Sequence, residues 1–195
     1  MSERIVSDMS YRIVVDSCGE FTEEMERDPH FAHAALILSI DGEQFVDDET
    51  FDQLDFLKKM KASPNCPKSS CPSPELYRAA FDCGADHLYA VTLSAELSGS
   101  YNSAVLGGKL LQEEHPEAKV HVFNSCSASV GETRIAQMIQ QCEEAGMSFE
   151  EVVETVEKFT REMHTRLQPY SLYRFPCTPS HQGRFLPTQH SCTLA

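Results

Sequence analysis

No cluster of lysine and arginine occurs in this 195-residue chain, which sets 30 acidic residues against 16 basic ones for a formal charge of −14. That excludes the basic stripe a nucleic acid requires, and equally a polybasic membrane anchor. No apolar run approaches the roughly 20 residues of a membrane span. The start, Met1 to Ser10, is polar and carries acids, so it does not read as a signal peptide. The eight cysteines include no C-x-x-C pair and no Cys/His spacing of a zinc site, and they read as reduced thiols of a cytosolic protein. Walker A, G-x-G-x-x-G and G-x-S-x-G patterns are absent, and no histidine stands in an obvious base position.

One absence is local. All 30 acids lie at or before Glu162, and Leu167 to Ala195 contains none. An average stretch of that length would hold about four or five. The same stretch carries four of the ten prolines, no helical period and no sustained strand alternation. Residues 1–166 have a net charge of −16 and residues 167–195 a net of +2, so the acidity belongs to the first part alone.

What is present is one domain's worth of chain, long enough to hide roughly 70% of its unfolded surface. Tyr11 to Val15, Ala34 to Ile40, Gln44 to Val46, His87 to Leu93 and Lys119 to Phe123 read as strands. A helix is predicted to open at Thr50 in the capping box Thr50-Phe51-Asp52-Gln53, with Phe51, Leu54, Phe56, Leu57 and Met60 inward. Ser63 to Pro72 reads as a loop. Ser73 caps the next helix with Pro74 at its first position, Leu76, Ala79, Ala80 and Cys83 face inward, and Gly84 ends it. Further helices are predicted over Ser98 to Glu114, with Gly107-Gly108 as a close-packing point, and over Ser129 to Ala145. The last follows the capping box at Ser148, with Val152, Val153, Val156 and Phe159 inward. Helices between continuously apolar strands predict an α/β fold, a three-layer α/β/α arrangement on a mainly parallel sheet.

Three strands end alike: Val15 leads into Asp16-Ser17-Cys18-Gly19, Leu93 into Ser94 through Ser100, and Phe123 into Asn124-Ser125-Cys126-Ser127-Ala128-Ser129. In a parallel sheet these hydroxyl-rich loops share the carboxyl edge, where open α/β sheets bind ligands. The loop Lys68-Ser69-Ser70-Cys71-Pro72 precedes a helix and is placed to join them. Hydroxyls and helix-start N–H groups favour an anion. Lacking Lys or Arg, the crown suits one small carboxylate or phosphate better than a polyphosphate. Serine is also a common helix cap, and Ser73, Ser129 and Ser148 read mainly as caps. Asp47-Asp48-Glu49 reads as a solvated acidic turn rather than a metal site.

YRIVVDSCG (11–19), KSSCPSP (68–74), VTLSAELSGSYNSA (91–104) and VFNSCSASVGE (122–132) occur in this order, and together they resemble the DegV family. The resemblance implies a cytoplasmic bacterial protein that is not itself an enzyme and uses no cofactor. Such a protein holds a long-chain fatty acid such as palmitate or oleate between a larger α/β domain and a smaller second domain. It presents the acid to a fatty acid kinase catalytic subunit, which makes acyl-phosphate for phospholipid synthesis. Residue by residue, Ser69 and Ser70 fall on the T-S pair of one motif and Ser94 on the first serine of another, which implies carboxylate contacts. Asp16, Ser17, Ser98, Gly99, Ser125, Ser127 and Ser129 match positions that shape the pocket. Cys71 stands where Gln is common, and Ala95 at the second serine of the L-S-S loop.

The resemblance runs from Tyr11 to Arg166. The expected organisation is a flexible N-terminus (1–10), a DegV-like domain (11–166) without the second domain, and a disordered tail (167–195) produced by a frameshift near codon 166. A genuine Pro-rich linker is the rival reading of the tail. Two other functions stay open: an enzyme acting on a small phosphorylated metabolite on a related scaffold, and a non-functional truncated fragment.

Overall fold

The computed structural model describes residues 10–165. The expected flexible start up to residue 9 and the expected tail, 167–195, lie outside the described residues. In chain order the elements are β1 (Tyr11–Asp16), α1 (Glu23–Arg27), β2 (Phe31–Ala34), β3 (Ile37–Ile40), β4 (Glu43–Val46), α2 (Gln53–Ala62), β5 (Lys68–Ser70), α3 (Pro74–Phe81), β6 (His87–Thr92), α4 (Ser100–Glu114), β7 (Lys119–Asn124), α5 (Val130–Glu144) and α6 (Phe149–Glu162).

A parallel sheet in the order β2-β1-β6-β7 forms the centre. Its strands alternate sides. Ile13, Val15, Tyr89, Val91 and Phe123 pack with Ile135, Ile139, Val152 and Val156 of α5 and α6. Val14, Leu88, Ala90 and Val122 face Tyr77, Phe81, Ala104 and Leu111 of α3 and α4. Both faces are covered, which is why the strands read as unbroken apolar runs. The three-layer expectation holds.

A second sheet, antiparallel and ordered β4-β3-β5, lies to the side. The run Ala34 to Ile40, expected as one strand, holds only the last residue of β2 and, after a break, β3; the rest of β2, Phe31 to His33, lies outside the expected strands. The chain leaves the parallel sheet at Ala35-Leu36, where Leu36 N donates to Ser17 Oγ and Leu36 O accepts from Asp47 N. The loop expected over Ser63 to Pro72 contains β5, which pairs Ser69 with Leu38 and Ser70 with Ile37.

Three local expectations shift. Thr50 does not cap α2: its N–H and hydroxyl both bond Asp48 Oδ1, and Asp52 caps instead, accepting from Asp55 N. The inward face of α2 centres on Phe56, held among Phe45 and Phe51 with ring centroids 5.2 and 5.6 Å away, so Leu54 and Leu57 are left exposed. On α3, Tyr77 and Phe81 are buried, whereas Leu76 and Ala79 are exposed. The caps at Ser73 and Ser148 stand as expected, through Leu76 N and Glu151 N.

The Gly107-Gly108 pair is a close-packing point. A Cβ on Gly107 would stand 2.6 Å from Pro74 O and 2.7 Å from Tyr77 Cβ, and one on Gly108 2.9 Å from Val120 Cγ1. Among the described cysteines, Cys18, Cys71, Cys83 and Cys142 are free thiols, whereas Cys66 departs from the reduced expectation and is disulfide-bonded. No helix among the described residues is long and apolar enough to cross a membrane.

Candidate functional site

β1, β6 and β7 are neighbours and parallel, so the loops after Asp16, Thr92 and Asn124 rise together at one edge of the sheet. The chain goes from β1 outward to β2 and later to β6 on the other side. The gap between β1 and β6 is therefore the switch point at which open α/β sheets place ligands.

Backbone bonds lace the loops together. Asp16 is fully buried, and its carboxylate accepts from Leu93 N at 2.9 Å and Cys18 N at 3.2 Å. It clamps the first loop to the second, one residue before Ser94. Ser94 N donates to Ser127 O at 3.0 Å, which hangs the second loop on the third. Asn124 Oδ1 accepts from both Ala95 N and Cys126 N, at 3.0 and 3.2 Å. The fourth loop joins through Cys71, whose sulfur lies 3.7 Å from Ser103 Oγ and would be 3.1 Å from a Cβ on Gly99.

The serines differ in what their hydroxyls already do. Ser17 Oγ donates to Asp47 Oδ2 at 2.7 Å and accepts from Leu36 N, so it ties β1 to the β2–β3 connection. Ser125 and Ser127 are buried. Ser125 Oγ closes a turn with Ser127 N and O, and Ser127 Oγ meets Thr165 Oγ1 at 2.6 Å. Ser98 Oγ bonds Ser100 Oγ and accepts from Ser100 N. Ser94 Oγ, largely buried, makes among the described residues only a long bond, accepting from Glu96 N at 3.4 Å, so its proton is available. Ser69 and Ser70 are exposed on β5, and among the described residues their hydroxyls have no hydrogen-bond partner. Leu97 and Val130, 65% and 59% exposed, give the second and third loops an apolar rim.

Ser129, expected to shape the pocket, and several residues outside the expected set also build the site. Asn124 is the hinge just described. Ser129 Oγ donates to Glu20 Oε1, and Thr133 Oγ1 takes Glu20 N and gives to Glu20 O, so α5 is stitched to the β1 loop. Cys126 and Ser129 hold φ of 48° and 55°, backbone that costs about 1–3 kcal/mol at a non-glycine residue. Glu132, in the first turn of α5, is fully buried. Its Oε1 accepts from Ser129 N at 3.1 Å, while Oε2 meets no well-formed hydrogen bond among the described residues and the carboxyl lies beside Asp16 and Cys18. Burial and the neighbouring Asp16 carboxylate push Glu132 up to about 9, so it is neutral at pH 7 without a bound cation. Burial also pushes the Cys18 thiol up to about 12. An acid in a first helical turn is visible in the sequence as a dipole partner, but its burial is not.

Chemically, the edge offers hydroxyl donors and helix-start N–H groups, with an apolar rim beside them. It suits an amphiphile with one acidic end. A family profile described as "Uncharacterised protein, DegV family" matches residues 10–174. A DegV domain-containing protein of Streptococcus gordonii is 36% identical over 153 residues, 77% of this chain and 54% of that protein. The crystal structure of a DegV family protein from Ruminococcus gnavus, refined with vaccenic acid, is 58% identical with a TM-score of 0.77, covering 80% of this chain and 56% of that one. The Streptococcus pneumoniae Fatty Acid Kinase (Fak) B3 protein, loaded with linoleic acid, is 33% identical with a TM-score of 0.70, covering 78% and 54%. The chain thus spans about half the length of the relatives it matches.

Proposed function

The chain belongs to the DegV family, and on that premise we propose that it binds the carboxylate of a long-chain fatty acid at the crown of hydroxyl loops. The observation that carries the reading is the juxtaposition of three parallel strand ends at the switch point, with Ser94 Oγ retaining a free proton there. Ser94, Ser69 and Ser70 take the carboxylate. Asp16, Ser17, Ser98, Ser125 and Ser127 hold the loops in place, as their existing bonds support. Leu97 and Val130 flank the first carbons of the acyl chain.

The protein breaks no bond in this reading. It carries palmitate or oleate in the cytoplasm and presents the carboxylate to a fatty acid kinase subunit, which forms the acyl-phosphate. The similarity to the Streptococcus pneumoniae Fatty Acid Kinase (Fak) B3 protein supports that step.

Lipid extracted from the purified chain and identified by mass spectrometry tests the ligand class. Melting under oleate or palmitate tests affinity, because a ligand at about 100 times its Kd stabilises by about 2.7 kcal/mol. A small shift is expected for this chain and a larger one for a fusion to the second half of a relative. Ser94→Ala reduces the shift in the fusion. A fusion that melts unchanged with either acid would sink the reading.

A further inference from the structure

We propose that Asp16, Cys18 and Glu132 form a binding site for one Zn²⁺ ion beneath the crown. The sequence separates Glu132 from the other two by most of the domain, and only the docking of α5 on the β1 loop brings them together. One ligand atom from each lies within 4.8 Å of the other two. A tetrahedral zinc with bonds of about 2.0–2.3 Å needs ligands about 3.3–3.8 Å apart, so the three need close by at most about 1.5 Å.

The cluster asks for a cation. Asp16 and Glu132 are both fully buried. Among the described residues no Lys, Arg or His pairs with either carboxylate. Buried carboxylates are costly unless paired, protonated or metal-bound. The second carboxylate oxygen of Glu132 is inaccessible to water and meets no well-formed hydrogen bond among the described residues, and the carboxyl group lies beside only the Asp16 carboxylate and the Cys18 thiol, whereas Oε1 is satisfied by Ser129 N. A metal bond supplies what that oxygen lacks.

The donors select the ion. A thiolate beside two carboxylates suits borderline-soft Zn²⁺ and disfavours Mg²⁺ and Ca²⁺, which take oxygen alone. Asp16 is the rigid arm, fixed by two backbone N–H groups. Cys18 is the adaptable one: it lies in the turn after β1 and is half-buried, so the ion would enter from its side, with a water from solvent as fourth ligand. Zn²⁺ enters as the protons of Glu132 and Cys18 leave to solvent. Its place is structural, tying the β1 loop to the start of α5.

The test uses the full chain, stripped with a chelator and dialysed against micromolar free Zn²⁺. The unaltered chain is expected to retain one more equivalent than Cys18→Ser and than Glu132→Gln, with both variants folded by circular dichroism. On the unaltered chain, Zn²⁺ is expected to slow alkylation of Cys18 by at least about tenfold, read by peptide mass spectrometry. The alkylation reading needs no variant, so it decides the matter if a substitution prevents folding. Equal zinc in all three proteins, or alkylation of Cys18 at an unchanged rate, overturns the proposal.

Discussion

Gly131 gives the sharpest test of how the third loop is built. It lies in the first turn of α5, where a Cβ would stand 1.9 Å from Ser127 Oγ and 2.6 Å from Ser127 Cβ. Ordinary contact between such atoms is about 3.5 Å. Rotating the Ser127 hydroxyl away solves only the first overlap, and it breaks the 2.6 Å bond to Thr165 Oγ1. The second overlap requires Ser127 itself to move by about 1 Å. Ser127 is buried, and its carbonyl holds Ser94 N, so the movement reaches the proposed carboxylate contact. Overpacking of this kind costs about 1–3 kcal/mol, and a lost buried hydrogen bond about 1 kcal/mol more. The better helix propensity of alanine returns up to about 1 kcal/mol. Gly131→Ala is therefore expected to destabilise by about 2–3 kcal/mol, a fall in Tm of roughly 4–10 °C for a chain of this size. Urea unfolding of Gly131→Ala, Ser127→Gly and the double variant measures it. In the Ser127→Gly background the alanine should cost at least about 1 kcal/mol less, because both overlapping atoms are gone. A single variant within about 0.5 kcal/mol of the parent, or an equal cost in both backgrounds, refutes the packing argument.

Gly107→Ala is expected to destabilise by about 1–2 kcal/mol despite alanine's helix preference, because its Cβ meets backbone of α3 that cannot rotate aside; thermal unfolding beside Lys109→Ala, an exposed neighbour, checks it. Asp41 accepts from Asn65 Nδ2 and Ser63 Oγ, which hold its carboxyl below the usual 3.8. A depressed carboxylate adds stability above its unfolded pKa and loses it as pH falls through the folded one, so the link between the β3–β4 turn and the end of α2 should loosen only below 3.8. An NMR titration should place the Asp41 midpoint below 3.8 and return it toward that value in Asn65→Ala; an unchanged midpoint contradicts the assignment. Ser17→Ala should lower stability by about 1 kcal/mol or more, since Leu36 N loses its acceptor, and denaturant melts report it.

Three of the four parallel strands, β1, β6 and β7, and their loop edge were legible because each is a largely apolar run leading into a loop rich in Asp, Ser or Asn; β2, four residues interrupted by His33, was not. The side sheet was not legible. β5 is three exposed residues, Lys68-Ser69-Ser70, and nothing in them prefers a strand; it exists because β3 offers an open edge. The helix faces were misjudged by phase. Leu76 and Ala79 share a helical stripe, but so do Tyr77 and Phe81, and the larger aromatics take the interior. At the site, residue type showed where hydroxyls gather but not which are already spent. Ser17 and Ser94 look alike in sequence, yet one is bonded to Asp47 and Leu36 while the other keeps its proton. Glu132 read as an ordinary helix-start acid because its burial depends on Asp16 and Cys18, which lie far away in the chain.

The position of β1 inside the sheet sets a schedule for the growing polypeptide. Tyr11 pairs with His87 and Val15 with Val91, so β1 gains its inner neighbour only after β6 has left the ribosome. At about 5–20 residues per second, that wait is roughly 4–16 s. During it Ile13, Val14 and Val15, which end with no exposed surface at all, have only β2 beside them. β6 and β7, by contrast, follow one another with a single helix between. The covering of one face of β1 comes later still, because Ile13 and Val15 pack against Ile135, Ile139, Val152 and Val156 of α5 and α6.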